Sequence, residues 1–389
     1  MLLTFPNFNL FSMPLLILVV QGYLFAFLLL RRYWKKSLLP DVFLALICAI
    51  TAYQCTSYTI GFMDWYDTYR NTKINYYLFS VGLAVGPTVY FYVRTITRPK
   101  LGFQRKDWLH YLPQLIWLVY EIFMWLYDSS LPTYWDQQNG WWKENINSVY
   151  VSPFQQALVS LSKILYYAFS IQLFWKYRQR LQTFFSNTYR VQLNWLGNFL
   201  VIYCIALFSI QYVLGIVNNF IVELHWQQNW WAFLAAALTA YYLGMKGYFT
   251  DISSLLSLTE KAENEPLNGN DRGAFSAPLK EKIQSYMEAE QPYLDPDLTL
   301  ADLAAQLEIS THNLSQMINT GFGKNFNDFV NNFRVGEVKK RLKAGEQKQK
   351  SLLGIALDSG FNSKATFNRT FKKFTEVSPS EYSKQLGSN

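Results

Sequence analysis

The chain has 389 residues, a formal net charge of +8 at pH 7 and 51% hydrophobic residues. Its mean hydropathy of 0.00 averages an apolar, aromatic-rich segment 1–250 with a polar, charged segment 251–389, which excludes one soluble domain for the whole chain. The three cysteines lie in apolar runs and the three histidines are scattered, so neither a disulfide framework nor a metal cofactor is predicted.

Seven apolar runs in segment 1–250 are long enough to cross the hydrocarbon core of a bilayer, which takes roughly 20 residues. The sequence therefore predicts an all-α protein that begins with a bundle of seven transmembrane helices. The predicted spans are 13–31, 39–60, 75–96, 109–127, 154–175, 193–217 and 228–249.

Basic residues in the loops predict the orientation of this bundle, because Lys- and Arg-rich loops stay in the cytoplasm. One set of alternate loops contains thirteen Lys and Arg residues, whereas the other set contains three. We therefore expect the N-terminus to lie outside and the chain after residue 250 to lie in the cytoplasm.

Two features of the membrane segment are candidates for function. The outer loop 128–153 carries Trp135, Trp141 and Trp142, which form either a platform for an external ligand or part of an interfacial aromatic belt. Glu121 and Lys163 lie inside predicted spans, where an unpaired charge is costly, so we expect them to pair with each other. Such a pair is either a static link between helices or part of a signalling path.

The composition changes after the last span. Residues 251–262 can continue a helix, and 263–277 collect Pro, Asn, Gly, Asp and Ser, which is typical of a flexible linker. The predicted division is a transmembrane domain at 1–250, a juxtamembrane helix and linker at 251–277, and a cytoplasmic domain at 278–389.

The cytoplasmic domain contains the same helical pattern twice, at 299–321 and 351–374. In the first copy, Thr299 and Asp302 predict a capping box, Leu300, Leu303, Ala304 and Leu307 form one buried stripe, and Ser310 and Asn325 are predicted to cap the following helices. In the second copy, Leu352, Ile355, Ala356, Phe367, Phe371 and Phe374 supply the stripes. Ser378, Pro379 and Glu381 predict a last capped helix.

This domain resembles the AraC/XylS family of transcription regulators over about 279–387, most specifically at 355–382 (IALDSGFNSKATFNRTFKKFTEVSPSEY). The resemblance implies two helix-turn-helix units whose recognition helices enter adjacent major-groove segments of DNA. Glu308 departs from the family pattern, which commonly has a turn glycine there. A left-handed turn at this residue would cost roughly 1–2 kcal/mol.

The resemblance also identifies the residues that would face DNA. Gln, Asn, Lys and Ser side chains can bond base edges in the major groove. Basic side chains that contact phosphates position the protein without specifying sequence. The implied base contacts are His312, Ser315, Gln316, Lys364, Ala365 and Asn368. The implied phosphate contacts are Arg369, Lys372 and Lys373.

Charge divides the two copies: 279–323 has two basic and seven acidic residues, while 324–389 has thirteen basic and six acidic. The second copy should supply most of the nonspecific attraction to DNA.

No motif of an enzyme is found. The sequence predicts a multi-pass protein of a bacterial inner membrane that senses an external or membrane-borne ligand and binds promoter DNA. Dimerisation through the membrane half is compatible with this interpretation, although no residue identifies it.

Two alternatives stay open. A transporter or channel with a DNA-binding regulatory tail would need a continuous polar path through the spans. Proteolytic release of the tail near 251–277 would instead keep DNA binding but end the attachment to the membrane.

Overall fold

The computed structural model describes residues 5–69, 73–186, 193–205, 230–253, 256 and 277–387. Within these ranges every regular element is a helix, and the only extended pairing is an isolated antiparallel bridge between Phe185 and Thr299. The predicted all-α class is confirmed for the described residues. The chain divides into two compact units, Met1–Phe174 with Leu193–Leu256, and Trp175–Gln192 with Ser257–Asn389.

The first unit holds the apolar helices. They are α1 (Ser12–Lys36), α2 (Leu39–Phe62), α3 (Trp65–Thr68), α4 (Ile74–Tyr77), α5 (Gly82–Thr97), α6 (Leu112–Ser129), α7 (Ser152–Phe184, which ends in the second unit), α8 (Asn194–Ile205) and α9 (Trp230–Phe249). Short 3-10 helices at Pro99–Leu101, Arg105–Tyr111 and Pro132–Trp135, and a π-helix at Lys143–Val151, join some of them.

Four of the described helical stretches are long and apolar enough to cross a membrane, by length and composition: Ser12–Lys36, Leu39–Phe62, Ile74–Thr97 and Lys143–Phe184. The predicted spans 13–31, 39–60, 75–96 and 154–175 fall within them. The predicted span 109–127 corresponds to α6, which is not among the four and contains the acidic Glu121 and Asp128. The predicted span 193–217 lies partly outside the described residues. The predicted span 228–249 corresponds to α9, which is not among the four either, so the number seven stays a prediction.

Small residues allow α5 and α7 to approach closely. A side-chain carbon added at Gly82 would lie 3.0 Å from Val159, and one added at Gly86 would lie 2.9 Å from the ring of Tyr166. These glycines are four residues apart and therefore share one face of α5, in the spacing common at helix interfaces in membranes.

Arg32 joins the ends of three helices in the first unit. Its guanidinium makes two bonds of 2.6 Å to the carboxylate of Asp41, which is fully buried at the start of α2. It also donates to the carbonyl oxygens of Gly247 and Tyr248 at the end of α9. Arg32 is one of the thirteen basic residues that predict the cytoplasmic side, and the structure pairs its charge.

The second unit contains seven further helices after residue 276, within the part that is described. They are α10 (Ala277–Ala289), α11 (Leu300–Gln306), α12 (Thr311–Gln316, continued by a π-turn at Met317–Gly321), α13 (Phe326–Lys343), α14 (Leu352–Asp358), α15 (Lys364–Thr375) and α16 (Pro379–Gly387). The unit also takes in Trp175–Gln192, which the sequence-based division assigns to the membrane domain. Most of the predicted linker 251–277 lies outside the described residues.

The central helix α13 carries the core of the second copy of the pattern. Its side chains Val335, Val338 and Leu342 pack with residues of α14 and α15 in one buried cluster, and Tyr382 and Leu386 of α16 cover the cluster. The predicted stripes account for this core: Ile355, Ala356, Phe367 and Phe371 are its buried members from α14 and α15.

Candidate nucleic-acid interface

The first helix-turn-helix unit begins at the predicted capping box. The Thr299 hydroxyl accepts a hydrogen bond from the Asp302 amide at 3.2 Å, and the Asp302 carboxylate accepts one from the Thr299 amide at 3.0 Å. Ser310 caps α12 by accepting a bond from the Asn313 amide at 3.2 Å. Each cap satisfies amides that the first turn of a helix leaves unpaired. The predicted starts of both helices are therefore confirmed.

Glu308 makes the turn between α11 and α12 in the left-handed conformation, with φ of 55°. The following amide, that of Ile309, donates to the carbonyl oxygen of Ala304 at 3.0 Å. The turn of the second unit has the same pattern, because Gly360 has φ of 88° and the Phe361 amide donates to Ala356 at 3.0 Å. The first helix-turn-helix unit thus forms the same turn without glycine, at the cost of backbone strain.

The second recognition helix, α15, presents a polar and basic outer face. Ser363 caps it by accepting a bond from the Thr366 amide at 3.2 Å, and Phe367 and Phe371 fix its inner face in the core. All the DNA-facing residues implied for this helix are exposed: Lys364, Ala365, Asn368, Arg369, Lys372 and Lys373. Carboxamide, ammonium and guanidinium donors are thereby available along three turns of one helix.

The first recognition helix, α12, is less open. Ser315 is 7% exposed, and its hydroxyl accepts a bond of 3.4 Å from the Asn319 side chain. His312 and Gln316 are half-buried, and the His312 Nε2 atom is buried without a hydrogen-bond partner. Of the three residues implied as base contacts here, Ser315 therefore does not present its side chain at the surface.

The N-caps give a register between the two recognition helices. Ser310 and Ser363 hold the same position, so Gln316 matches Arg369. The sequence analysis assigns Arg369 to phosphate, but it occupies the position of an implied base contact. Arginine bonded to guanine is the commonest specific contact in the major groove, which makes Arg369 a candidate for both roles.

Lys373 is engaged within the protein. Its ammonium lies 2.6 Å from the carboxylate of Asp328 in the first turn of α13, and it remains 57% exposed at the side chain. The partly exposed pair contributes little to stability. A DNA phosphate at this position would compete with a carboxylate for the lysine.

Arg334 is a structural residue that the sequence patterns do not identify. It is 1% exposed, and its guanidinium donates to the carbonyl oxygens of Tyr293 at 2.7 Å and Asp295 at 2.6 Å. Burial lowers the pKa of this guanidinium to about 10, so it stays charged at neutral pH. Arg334 therefore ties α13 to the segment that precedes α11.

The three tryptophans proposed as ligand contacts lie in the compact unit of apolar helices and have different surroundings. Trp135 and Trp141 are exposed, whereas Trp142 donates to the Tyr120 hydroxyl at 3.3 Å and packs on Tyr127. The loop that carries them is held by buried Asp128, which accepts bonds from the amides of Trp142 and Lys143 and from the hydroxyl of Tyr76.

The predicted partner of Glu121 is not beside it. Its carboxylate accepts bonds from the Ser80 amide at 3.0 and 3.1 Å, and no ion pair joins it to Lys163 within the described part of the chain. A backbone amide therefore bonds the carboxylate to which the sequence analysis assigns a lysine.

Comparisons with known proteins concern the C-terminal part. Residues 303–385 match the family model described as a helix-turn-helix domain. An uncharacterized HTH-type transcriptional regulator of Staphylococcus aureus (strain COL) is 30% identical over 102 residues, which are 26% of this chain and 13% of the relative. The uncharacterized HTH-type transcriptional regulator YijO of Escherichia coli (strain K12) is 34% identical over 111 residues, 28% of this chain and 38% of the relative.

The chain thus spans only 13% and 38% of the length of these two relatives. No solved structure matches it. The matched residues 303–385 coincide with the two capped helix pairs and the helix α13 between them. The C-terminal part of this chain therefore contains a helix-turn-helix domain.

Proposed function

We propose that this protein is a membrane-anchored, one-component transcription regulator that binds promoter DNA through its two helix-turn-helix units. The observation that carries the proposal is α15, a capped helix that follows a tight turn and exposes Lys364, Asn368 and Arg369 on one polar face. Such a helix fits the major groove, where Asn bonds adenine and Lys or Arg bonds guanine.

The two units have different tasks in this proposal. The basic second unit supplies the salt-dependent attraction to phosphates through Lys372, Lys373 and Arg369. His312 and Gln316 of the first unit add base contacts on the adjacent groove segment. Lys364, Ala365 and Asn368 read the bases next to α15.

The compact unit that contains the apolar helices is proposed to anchor the regulator in a bacterial inner membrane and to sense a cue. Its support is the set of four apolar helices and the excess of basic residues in one set of loops, which orients the C-terminal domain toward the cytoplasm. The exposed rings of Trp135 and Trp141 are the proposed contacts of an external ligand. Two copies bound at adjacent half-sites would form a dimer on the promoter.

The direct test is a map of chromosome occupancy in the source bacterium. The full-length chain should occupy discrete promoters, and Lys364→Ala combined with Asn368→Ala should remove those sites. The matched control is Lys340→Ala combined with Asn332→Ala, which removes the same charge and carboxamide from exposed positions of α13. Unchanged occupancy in the α15 double variant, or no discrete sites for the wild type, would contradict the proposal.

The orientation is tested with alkaline phosphatase, which is active only outside the cytoplasm. A fusion behind Asn389 should be inactive, while a fusion truncated at Thr68, in a predicted outer loop, should be active. High activity behind Asn389 would place the DNA-binding domain on the wrong side of the membrane.

A further inference from the structure

The last residues of α7 belong to the DNA-binding unit. The helix runs without a break over Ser152–Phe184, which is about 50 Å at 1.5 Å per residue, and the hydrocarbon core is about 30 Å thick. The division between the two units falls after Phe174, so the part of α7 from Trp175 onward groups with the C-terminal helices. Leu181, Phe184 and Phe185 are all buried there.

The chain after α7 pairs with the start of the first helix-turn-helix unit. Phe185 forms an antiparallel bridge with Thr299, and the Ser186 amide donates to the Leu298 carbonyl oxygen at 3.3 Å. The Ser186 hydroxyl donates to the same oxygen at 2.6 Å. Main-chain and side-chain donors of one fully buried residue thus converge on the carbonyl just before the cap of α11.

Helix α13 completes the contact from the other side. The Asn327 carboxamide donates to two successive carbonyl oxygens, those of Phe185 at 3.3 Å and Ser186 at 2.7 Å. Buried Arg334 donates to the Ser186 hydroxyl at 3.2 Å. One carboxamide thus satisfies two consecutive carbonyl oxygens of a segment over 140 residues away, and a buried guanidinium bonds the adjoining hydroxyl. These contacts constitute a built docking site rather than a chance approach.

The hydrogen bonds of the docked segment do not involve the DNA-facing helices. All the hydrogen bonds that Phe185 and Ser186 make to the C-terminal helices reach Leu298, Asn327, Asn331 or Arg334. These residues lie before α11 and on α13. The hydrogen bonds of the docked segment therefore reach the frame of the DNA-binding unit and neither of its recognition helices, α12 and α15.

We propose that Trp175–Ser186 is the control segment of this regulator: docked between Thr299 and α13, it holds the first helix-turn-helix unit in the form that binds DNA, and its release lowers the affinity for DNA. The control segment is continuous with a helix of membrane-spanning length, so a change in that helix is passed directly to the DNA-binding unit. This inference rests on the proposed function and names the regulation of the same DNA-binding surface.

Docking is tested by a disulfide. Facing residues of an antiparallel pair have Cα atoms about 4.5–5.5 Å apart, within the range of about 4.4–6.8 Å that a disulfide spans. Phe185→Cys and Thr299→Cys are introduced into the full-length chain together with a protease site within 263–277. After mild oxidation and cleavage, the C-terminal fragment should stay attached to the rest of the chain until reductant is added. Thr299→Cys alone is the control for pairing with the native cysteines, all of which precede the cleavage site, and release of the fragment from the oxidised double variant would overturn the proposal.

The effect on DNA is measured with the purified full-length chain and a fragment from its strongest chromosomal site. Asn327→Ala removes the two bonds that the Asn327 carboxamide donates to the control segment and should weaken binding about fivefold to thirtyfold, the change expected from one or two kcal/mol. The matched control is Asn332→Ala, an exposed asparagine on the same helix, which should bind within about twofold of wild type. Equal affinity of Asn327→Ala and wild type would overturn the proposal.

A rescue separates loss of docking from general damage to the domain. When Asn327→Ala is combined with the two cysteine substitutions, oxidation should restore the affinity for DNA, and reduction should remove it again. No restoration, or a disulfide-locked chain that binds at least tenfold more weakly than its reduced form, would overturn the proposal. The proposed function is tested separately by the α15 double variant. If Lys364→Ala with Asn368→Ala abolishes occupancy but the docking variants do not change the affinity for DNA, only this inference fails.

Discussion

Glu308 is the position at which the first helix-turn-helix unit has a correctable backbone strain. Its φ of 55° costs a residue with a side chain roughly 1–2 kcal/mol. Glycine adopts this conformation freely but loses about 0.5–1 kcal/mol more conformational entropy on folding. The difference predicts that Glu308→Gly stabilises the first unit by about 1 kcal/mol. Gly360→Ala should have the opposite effect, because the new carbon would lie 2.9 Å from the Arg334 side chain and the backbone is left-handed.

Hydrogen exchange followed by mass spectrometry measures this change in the full-length chain. A gain of about 1 kcal/mol should slow exchange of amides in 300–321 about fivefold. Glu281→Gly is the matched control, because the same substitution inside the ordinary helix α10 should speed local exchange. Faster exchange in Glu308→Gly would refute the assignment of strain to this turn.

Three further outcomes are expected. Lys372→Ala should reduce the slope of log affinity against log salt by about 0.9, because one phosphate contact is lost. Arg334→Met should destabilise the domain by about 3 kcal/mol in the same exchange assay, because the carbonyl of Tyr293 loses a charged donor in a buried site. The bonds from Ser378 hold the pKa of Glu381 below its usual 4.5, so the stability of α16 should fall as the pH drops below 4.5, and Glu381→Gln should remove this dependence.

Each outcome has a clear opposite. An unchanged salt slope would mean that Lys372 faces solvent in the complex. Exchange in Arg334→Met at the wild-type rate would mean that water replaces the guanidinium without loss. If Glu381→Gln kept the acid sensitivity of α16, another carboxylate would be its source.

The helix starts of the C-terminal domain could be predicted because capping chemistry is local. Thr299, Ser310 and Asn325 each accept a bond from an amide three residues ahead, and Ser378 pairs with Glu381 in the same way. The left-handed turn at Glu308 could be anticipated only through the family resemblance, since glutamate itself gives no sign of it.

The contacts that organise the domain over long distances could not be predicted. Burial of Ser315 and the carbonyl partners of Arg334 depend on which helices meet, and no spacing in the sequence encodes that. The docking of Ser186 joins residues more than 100 positions apart. One signal was available, because the apolar residues Leu181, Phe184 and Phe185 follow a basic stretch and continue the helical pattern past the predicted end of the span at residue 175.

The ion pair between Lys373 and Asp328 has a thermodynamic consequence for the regulator. Asp328 lies in the first turn of α13, immediately after Asn327, which holds the control segment. A promoter phosphate that draws Lys373 away removes the ion pair of this carboxylate beside the docking site. Linkage is reciprocal: whatever factor docking contributes to promoter affinity, the promoter returns to docking. Promoter occupancy would then influence the membrane helix through the same coupling free energy by which that helix influences promoter occupancy.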